Sequence, residues 1–453
     1  MTAPTLRDYQ MSGVTDIRGH FARGAHRVLY QAPTGSGKTI LFVFIVMNAV
    51  ARGNRVVILA HRQEIVDQIG AALTSLGVPH GIIAAGHDET QAPVQVASVA
   101  TLVRRLDRLQ DVDLIVIDEG HHAVAGTWRK IVEAAPQAKI LGVTAIPERL
   151  DGKGLNDVFE MLVLGPTIRE LIDGKYLSRF ATYALPRDLD LSQVHTRAGD
   201  YAADQLTKVM SDAVVIGSAV EEYTRLCPGK PAIAFCVDIT HSQLVAARFR
   251  RTGYRAAHVD GDTDKDERRA LIAALGTGEL QVLTNCRLIS EGLDVPGVVA
   301  AILLRPTKSL ALYLQQVGRA LRPAPDKAKA LVLDHAGNTY RHGPADAPHA
   351  WSLEGRPKGS GEAPVYRCQK CGALNPIAAL RCSECGAMLR DPAPRIEVRS
   401  STLVEIDRVR AMTYGQALRW AGDSEERLRL IARARGYRPG WVRHRLQELR
   451  VHE

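Results

Sequence analysis

The residues best equipped for chemistry begin with Ala32-Pro33-Thr34-Gly35-Ser36-Gly37-Lys38-Thr39, a phosphate loop between an apolar run ending at Tyr30 and a helical pattern starting at Lys38. Gly35 and Gly37 let backbone amides turn toward phosphates, the helix start adds a favourable dipole, Lys38 reaches the β and γ phosphates, and the Thr39 hydroxyl suits Mg²⁺. Thr34 and Ser36 complete the nucleotide cradle. Further on, Leu114-Ile115-Val116-Ile117 runs into Asp118-Glu119-Gly120-His121. Adjacent carboxylates at the end of a parallel strand can divide the work, with Asp118 holding the metal and Glu119 orienting and deprotonating a water. Gln315-Gln316-Val317-Gly318-Arg319-Ala320-Leu321-Arg322 then offers two guanidinium groups three residues apart, on one face if the segment is helical, suited to charge developing on a γ-phosphate. Alone, the acidic pair also reads as a surface turn and the arginine pair as a solvated face. Together with the phosphate loop they read as one ATP site written in two halves.

A second constellation is Cys368-Gln369-Lys370-Cys371-Gly372 with Cys382-Ser383-Glu384-Cys385-Gly386. Paired C-x-x-C knuckles place four sulfurs tetrahedrally, the geometry of structural Zn²⁺, with an iron cluster or a redox pair as the alternatives. Arg367, Lys370 and Arg381 beside the knuckles are compatible with a nucleic-acid contact. Cys227, Cys236 and Cys286 lie in apolar surroundings and read as buried free thiols. Near the C-terminus, Tyr437 and Trp441 alternate with Arg438 and Arg443. This pattern allows either stacking on bases with arginines on phosphates, or a small helical hairpin packed on its own Trp.

These groups need elements to hold them. Short β-branched runs at 27–30, 55–59, 94–98, 114–117 and 140–143 alternate with helical patterns, which predicts an α/β domain with a buried parallel sheet over residues 1–165. Runs at 232–237, 256–259, 281–284, 299–304 and 330–333 predict a second α/β domain over 166–340, with 185–215 as a polar lead-in. A Gly-, Pro-, Ala- and His-rich stretch at 341–364 reads as a linker, the cysteine module occupies 365–390, and a basic, helix-patterned tail fills 391–453.

A chain of 453 residues with 46% hydrophobic and 24% charged content has enough apolar material for two cores, which excludes disorder as the default. The net charge of +9 favours an anionic partner. The first residues lack the apolar stretch of a signal peptide, and the longest apolar run, 40–50, is too short to span a bilayer, so no membrane association and a cytoplasmic location are expected.

In order along the chain, the loop, the Asp-Glu-x-His box and the Gln-x-x-Gly-Arg-x-x-Arg run resemble a superfamily 2 DEAD/DEAH-box helicase, over residues 6 to about 335. The resemblance implies two tandem RecA-like domains, ATP and Mg²⁺ as cofactors, and a nucleic-acid-dependent ATPase. It assigns Leu6-Arg7-Asp8-Tyr9-Gln10 to an adenine-reading motif, with Gln10 on the base and Arg7 against it. It makes Arg62, Thr101 and Thr284 strand contacts, places Gly292 and Asp294 near the nucleotide, and makes His121, Thr144 and Gln315 coupling residues. Read from the residues alone, Asp294 is equally a cap or turn residue. Thr144-Ala145-Ile146-Pro147 departs from the family's usual Thr-Ala-Thr-Pro, leaving Thr144 as the hydroxyl for coupling. The motor, the Leu333 to Asn338 run, the cysteines and the Gly-Tyr-x-Pro-Gly-Trp tail look most like RadD-type bacterial and prophage helicases. That likeness implies single-stranded or branched DNA, repair or recombination intermediates, and contact with single-stranded-DNA-binding protein. Two other functions stay open: an ATP-gated DNA-binding remodeller that does not separate strands, and the motor subunit of a restriction system.

Overall fold

The computed structural model describes residues 5–123, 126–149, 152–184, 191, 194–197, 200–211, 213–286, 295, 297–355, 365–389, 409, 412–438 and 440–451. It divides into two compact units, residues 1–390 and 391–453.

In the first unit, strands β1 (Arg27–Gln31), β2 (Val56–Ala60), β3 (His80–Ile83), β4 (Val94–Ser98), β5 (Leu114–Asp118), β6 (Lys139–Thr144) and β7 (Met161–Leu164) form one parallel sheet in the order β3-β4-β2-β5-β6-β1-β7. Its central strands are buried on both faces, which is why their sequences run apolar without alternation. The helix Lys38–Val50 inserts Leu41, Phe42, Val43, Ile45, Val46 and Met47 beside the sheet, so the long apolar run is core. The strands β3 and β7 lie at the two edges; they escaped the sequence reading because His80–Ile83 and Met161–Leu164 are short and bury only part of their side chains.

A second parallel sheet follows. It is built from β8 (Phe180–Ala184), β11 (Ala232–Phe235), β12 (Ala256–Val259), β13 (Val282–Asn285), β14 (Ala300–Leu303) and β15 (Ala330–Asp334), in the order β12-β13-β11-β14-β15-β8. A two-stranded ribbon, β9 (Thr196–Arg197) with β10 (Asp200–Tyr201), lies within the polar lead-in. Two parallel α/β sheets in tandem therefore carry the site, as the sequence predicted.

Residues 341–355 do not behave as the linker read from their composition. Asn338–His342 is helical, Tyr313 donates to the Gly343 carbonyl at 3.1 Å, and Arg169 pairs with Asp346. The chain then returns to the first sheet domain, where the Leu353 carbonyl accepts from the amides of Leu155 (2.6 Å) and Asn156 (3.0 Å), and Lys153 bridges Gly355. Trp351 packs against the apolar cluster of the second domain and Leu353 against that of the first. Backbone hydrogen bonds and two apolar anchors fasten this stretch, so its Gly, Pro and Ala content makes a strap.

The cysteine segment forms β16 (Val365–Arg367) and β17 (Leu374–Pro376), an antiparallel pair. It is joined to the edge strand β8 through a Tyr183–Ala373 bridge and to the start of β15 through a Lys329–Glu384 ion pair. An otherwise open sheet edge is thereby covered.

In the second unit, the helices Tyr414–Ala421, Glu425–Arg435 and Trp441–Val451 enclose Val409, Ala417, Leu428, Ile431 and Val442. Thr413 and Ser424 cap the first two, accepting from the Gln416 and Arg427 amides, and Gly436 ends the second in the left-handed region at φ 68°.

Candidate ATP site and cysteine centre

Parallel pairing puts every nucleotide-facing segment at the same C-terminal edge of the first sheet. The phosphate loop follows β1, Arg62 follows β2, Thr101 follows β4, Asp118 ends β5 and Thr144 ends β6. Gly35 and Gly37 adopt φ 89° and 78°, values that bring strain to any side chain. A cleft of about 810 Å³ is lined by Thr34, Gly35, Gly37, Lys38, Thr39, Asp118 and Glu119 on one wall and by Arg319 and Arg322 on the other. Lys38 donates to the Ala32 and Pro33 carbonyls at 3.0 and 3.3 Å. Burial pushes its amine below the ordinary lysine range; Glu119 and Asp118 oppose that shift, and Arg319 and Arg322 reinforce it. Those arginines belong to the second sheet domain, so the two halves of the sequence motif share one electrostatic site.

The helix carrying Gln315 and Arg319 spans Leu310–Ala320, capped by Ser309. It stops before Arg322, so the two arginines do not share a regular helical face as their spacing suggested. Leu321 closes the helix with a still-helical backbone, and both side chains line the cleft. Gln315 is buried in that helix. Lys327 holds the helix end by donating to the carbonyls of Ala320 and, at 2.6 Å, Arg322.

Glu119 adopts φ 53° and ψ 57°, the left-handed region that a branched or long side chain rarely occupies. His121 Nδ1 lies 3.3 Å from the Glu119 carboxylate and 3.1 Å from Thr144 Oγ1. Thr144 in turn donates to the Ile146 carbonyl at 2.9 Å. The Ile146 side chain is buried in the apolar cluster that contains Leu314, Val317 and Leu321. Where the family usually has a hydroxyl, this chain therefore places an apolar contact with the second domain.

The structure places the other expected residues as well. Gln10 donates to the Ser36 and Gly37 carbonyls, each at 3.1 Å, and accepts from the Arg7 amide at 3.0 Å, so its amide braces the phosphate loop. Arg7 lies over the Tyr176 ring at 4.5 Å and donates to Tyr9, whose hydroxyl donates to the Ser36 carbonyl at 2.7 Å. Thr284 does not face a strand: it is fully buried in β13, its hydroxyl donating to the Ser242 carbonyl at 2.9 Å, because the middle of a two-face-covered strand leaves no surface. Gly292 and Asp294 lie outside the described residues. Arg62 and the half-exposed Thr101 stay at the strand ends. The sequence reading missed Lys265, Arg268 and Arg269, which line the cleft from the second domain, with Arg268 paired to Glu64 across it. The available signal was three basic residues, Lys265, Arg268 and Arg269, interleaved with Asp266 and Glu267 at the start of the helix capped by Asp264.

In the cysteine centre, the four Sγ atoms lie within 4.8 Å of one another, with Cys368–Cys385 and Cys371–Cys382 each at 3.6 Å. A tetrahedral site with metal–sulfur bonds of about 2.3 Å needs sulfurs roughly 3.8 Å apart, so the four fit zinc. The Cys371 amide holds the Cys368 thiol down to about 6, favouring the thiolate form that binds metal. Asn375 donates to Cys382 Sγ at 3.6 Å, a supporting contact of the kind metal sites use. The remaining thiols stand apart: burial pushes Cys227 up to about 12, Cys236 is buried, and Cys286 is half-buried, donating to the Val237 carbonyl at 3.3 Å.

In the second unit, Tyr437 and Trp441 rings lie 4.8 Å apart against the small core, while Arg438 and Arg443 are exposed.

The fold and the site are those of a two-domain helicase-like ATPase. Residues 3–149 match the family model for the type III restriction enzyme res subunit, and residues 218–324 match the helicase conserved C-terminal domain. A 51.5 kDa protein of a Lactococcus phage is 35% identical over 79% of this chain and 77% of its own length. The Saccharomyces cerevisiae protein described as an ATP-dependent helicase, IRC3, is 32% identical over 74% of this chain and 52% of its own length, so the chain spans about half of that relative. Among solved structures, a fragment assigned as an HsdR subunit of a type I restriction enzyme from Vibrio vulnificus superposes with a TM-score of 0.60 at 21% identity, covering 79% of this chain and 68% of that one. The chain belongs to the superfamily 2 helicases, nucleic-acid-dependent ATPases.

Proposed function

We propose that this chain is an ATP-driven motor on DNA that hydrolyses ATP between its two sheet domains. The observation that carries the reading is the shared electrostatics of Lys38 with Glu119 and Asp118 on one side and Arg319 and Arg322 on the other. In this reading Lys38 and the loop amides hold the phosphates, Glu119 orients and deprotonates the attacking water, and the two arginines stabilise charge on the γ-phosphate. Thr39 and Asp118 offer the hard oxygen donors that suit Mg²⁺, which when bound neutralises phosphate charge. Arginines reach the cleft only when the domains are together, so closure and hydrolysis are coupled. Arg62, Lys265 and Arg269 add positive charge at the cleft, and the chain's net charge of +9 favours a phosphate backbone as partner. No described helix is long and apolar enough to cross a membrane.

DNA is favoured over RNA by the match to a restriction-enzyme subunit family, which also supports a second reading as the motor of a restriction system. The narrower RadD-type likeness implies repair or recombination intermediates as the DNA and single-stranded-DNA-binding protein as a partner, while the four-cysteine centre supports zinc as a structural ion. The deciding experiment compares ATPase stimulation by single-stranded DNA, duplex, forked DNA and RNA, together with strand displacement on a tailed duplex. Stimulation by RNA alone would overturn the DNA assignment, and ATP-gated binding without displacement would favour the remodeller.

A further inference from the structure

The strands β2 and β5 are parallel neighbours, with Leu59 opposite Ile117. Their chains therefore leave the sheet side by side, delivering His61 and Arg62 next to Glu119, His121 and His122. Arg62 Nε donates to His61 Nε2 at 3.2 Å. The His61 ring lies 4.7 Å from the His122 ring, and His122 lies 4.2 Å from His121. His121 reaches the Glu119 carboxylate at 3.3 Å and Thr144 at 3.1 Å. Behind the stack, His122 lies nearly parallel to the buried Trp128 indole, 6.5 Å away and tilted by 15°.

We infer that His122 is a positioning residue that transmits occupancy at Arg62 to Glu119. The inference rests on the nucleic-acid-dependent turnover proposed above and adds the route by which the polymer reaches the water-activating carboxylate. Packed rings pass displacement because a dense contact cannot absorb it. A strand phosphate engaging Arg62 shifts His61, which bears on His122, which bears on His121 and so sets the Glu119 carboxylate. Trp128 backs the stack on the side away from His61 and His121. Hydrolysis is sensitive to small misplacements of the base, and an ångström can cost about a hundredfold in rate.

The test uses the full chain, purified, with ATP turnover measured at rising ATP with and without a single-stranded oligonucleotide. The readout is the ratio of stimulated to unstimulated kcat beside the KM for ATP. In His122→Ala the ratio should fall about tenfold or more while KM stays near its wild-type value, since the phosphate loop is untouched. His122→Phe keeps a ring in the stack and should recover most of the ratio. His61→Ala, at the other side of the contact, should reproduce the loss. A wild-type ratio in His122→Ala would overturn the relay, as would His122→Phe behaving like alanine. A wild-type chain stimulated by none of single-stranded, duplex or forked DNA would overturn the function proposed above, and the relay with it.

Discussion

Gly318 of the arginine-bearing helix stands directly against Thr34 of the phosphate loop: a Cβ at position 318 would lie 2.8 Å from the Thr34 Cβ. The two halves of the nucleotide site thus meet at a contact closer than side-chain carbons tolerate, which only glycine permits.

Gly318→Ala should hold the cleft walls apart. Alanine is the better helix former, so the substitution does not weaken the helix through propensity. The expected result is a fall in kcat of about tenfold or more as the arginines withdraw, with nucleotide binding retained. Steady-state turnover beside fluorescent-nucleotide binding separates the two, and unchanged kcat would show that the closed contact is not needed for hydrolysis.

Ile146 is buried in the cluster that contains Leu314, Val317 and Leu321 of the second domain. Ile146→Ala should cost about 2–4 kcal/mol of stability. Because the lost contacts join the domains, thermal unfolding should separate into two transitions. Calorimetry checks this, and a single sharp transition at the wild-type temperature would refute it.

Glu119→Gln keeps the shape of the side chain and removes its basicity. Turnover should fall by about 10²–10⁴ while ATP still binds. Lys38→Ala should lose binding as well. DNA-stimulated hydrolysis retained in either purified variant would refute the assignment of the site.

The four thiolates should hold one zinc ion per chain, measured by elemental analysis. Cys382→Ser or chelation should remove it and lower the melting temperature of the second sheet domain, because the module is fastened to β8 through the Tyr183–Ala373 bridge and to the start of β15 through the Lys329–Glu384 pair. Full stability with the metal gone would show that the module is only an appendage.

Burial lowers the Lys327 amine to about 7. Between that value and the ordinary lysine value of about 10.4, the unfolded chain holds the proton and the folded chain has released it. The penalty from this group is therefore full below about pH 7 and is relieved as pH rises through the window. Lys327→Met removes the titration, so wild type should lose stability relative to the variant as pH falls from 9 to 6.5, by about 1.4 kcal/mol per unit at most. Denaturant melts at matched pH give the difference, and a pH-independent gap would refute the buried amine.

The phosphate loop, the acidic pair, the arginine motif and the paired knuckles were legible in the sequence because each compresses its chemistry into a short stretch of chain. The alternating pattern also carried both parallel sheets, since strands covered on two faces must be apolar throughout. What the order of residues could not carry was proximity between distant segments. That Thr34 touches Gly318, that Arg268 crosses to Glu64 and that Leu353 returns to the first domain depend on how one sheet sits over the other. Burial was hidden for the same reason: Thr284 looked like a strand contact by its motif, yet the middle of a covered strand has no surface to offer. Composition misled at 341–355, where backbone hydrogen bonds to the first domain make a strap of a stretch that reads as flexible. The sequence by itself determined which groups could do chemistry, because that is a property of residue type and short spacing. Only the tertiary structure decided which of them share a site, because that depends on packing between domains.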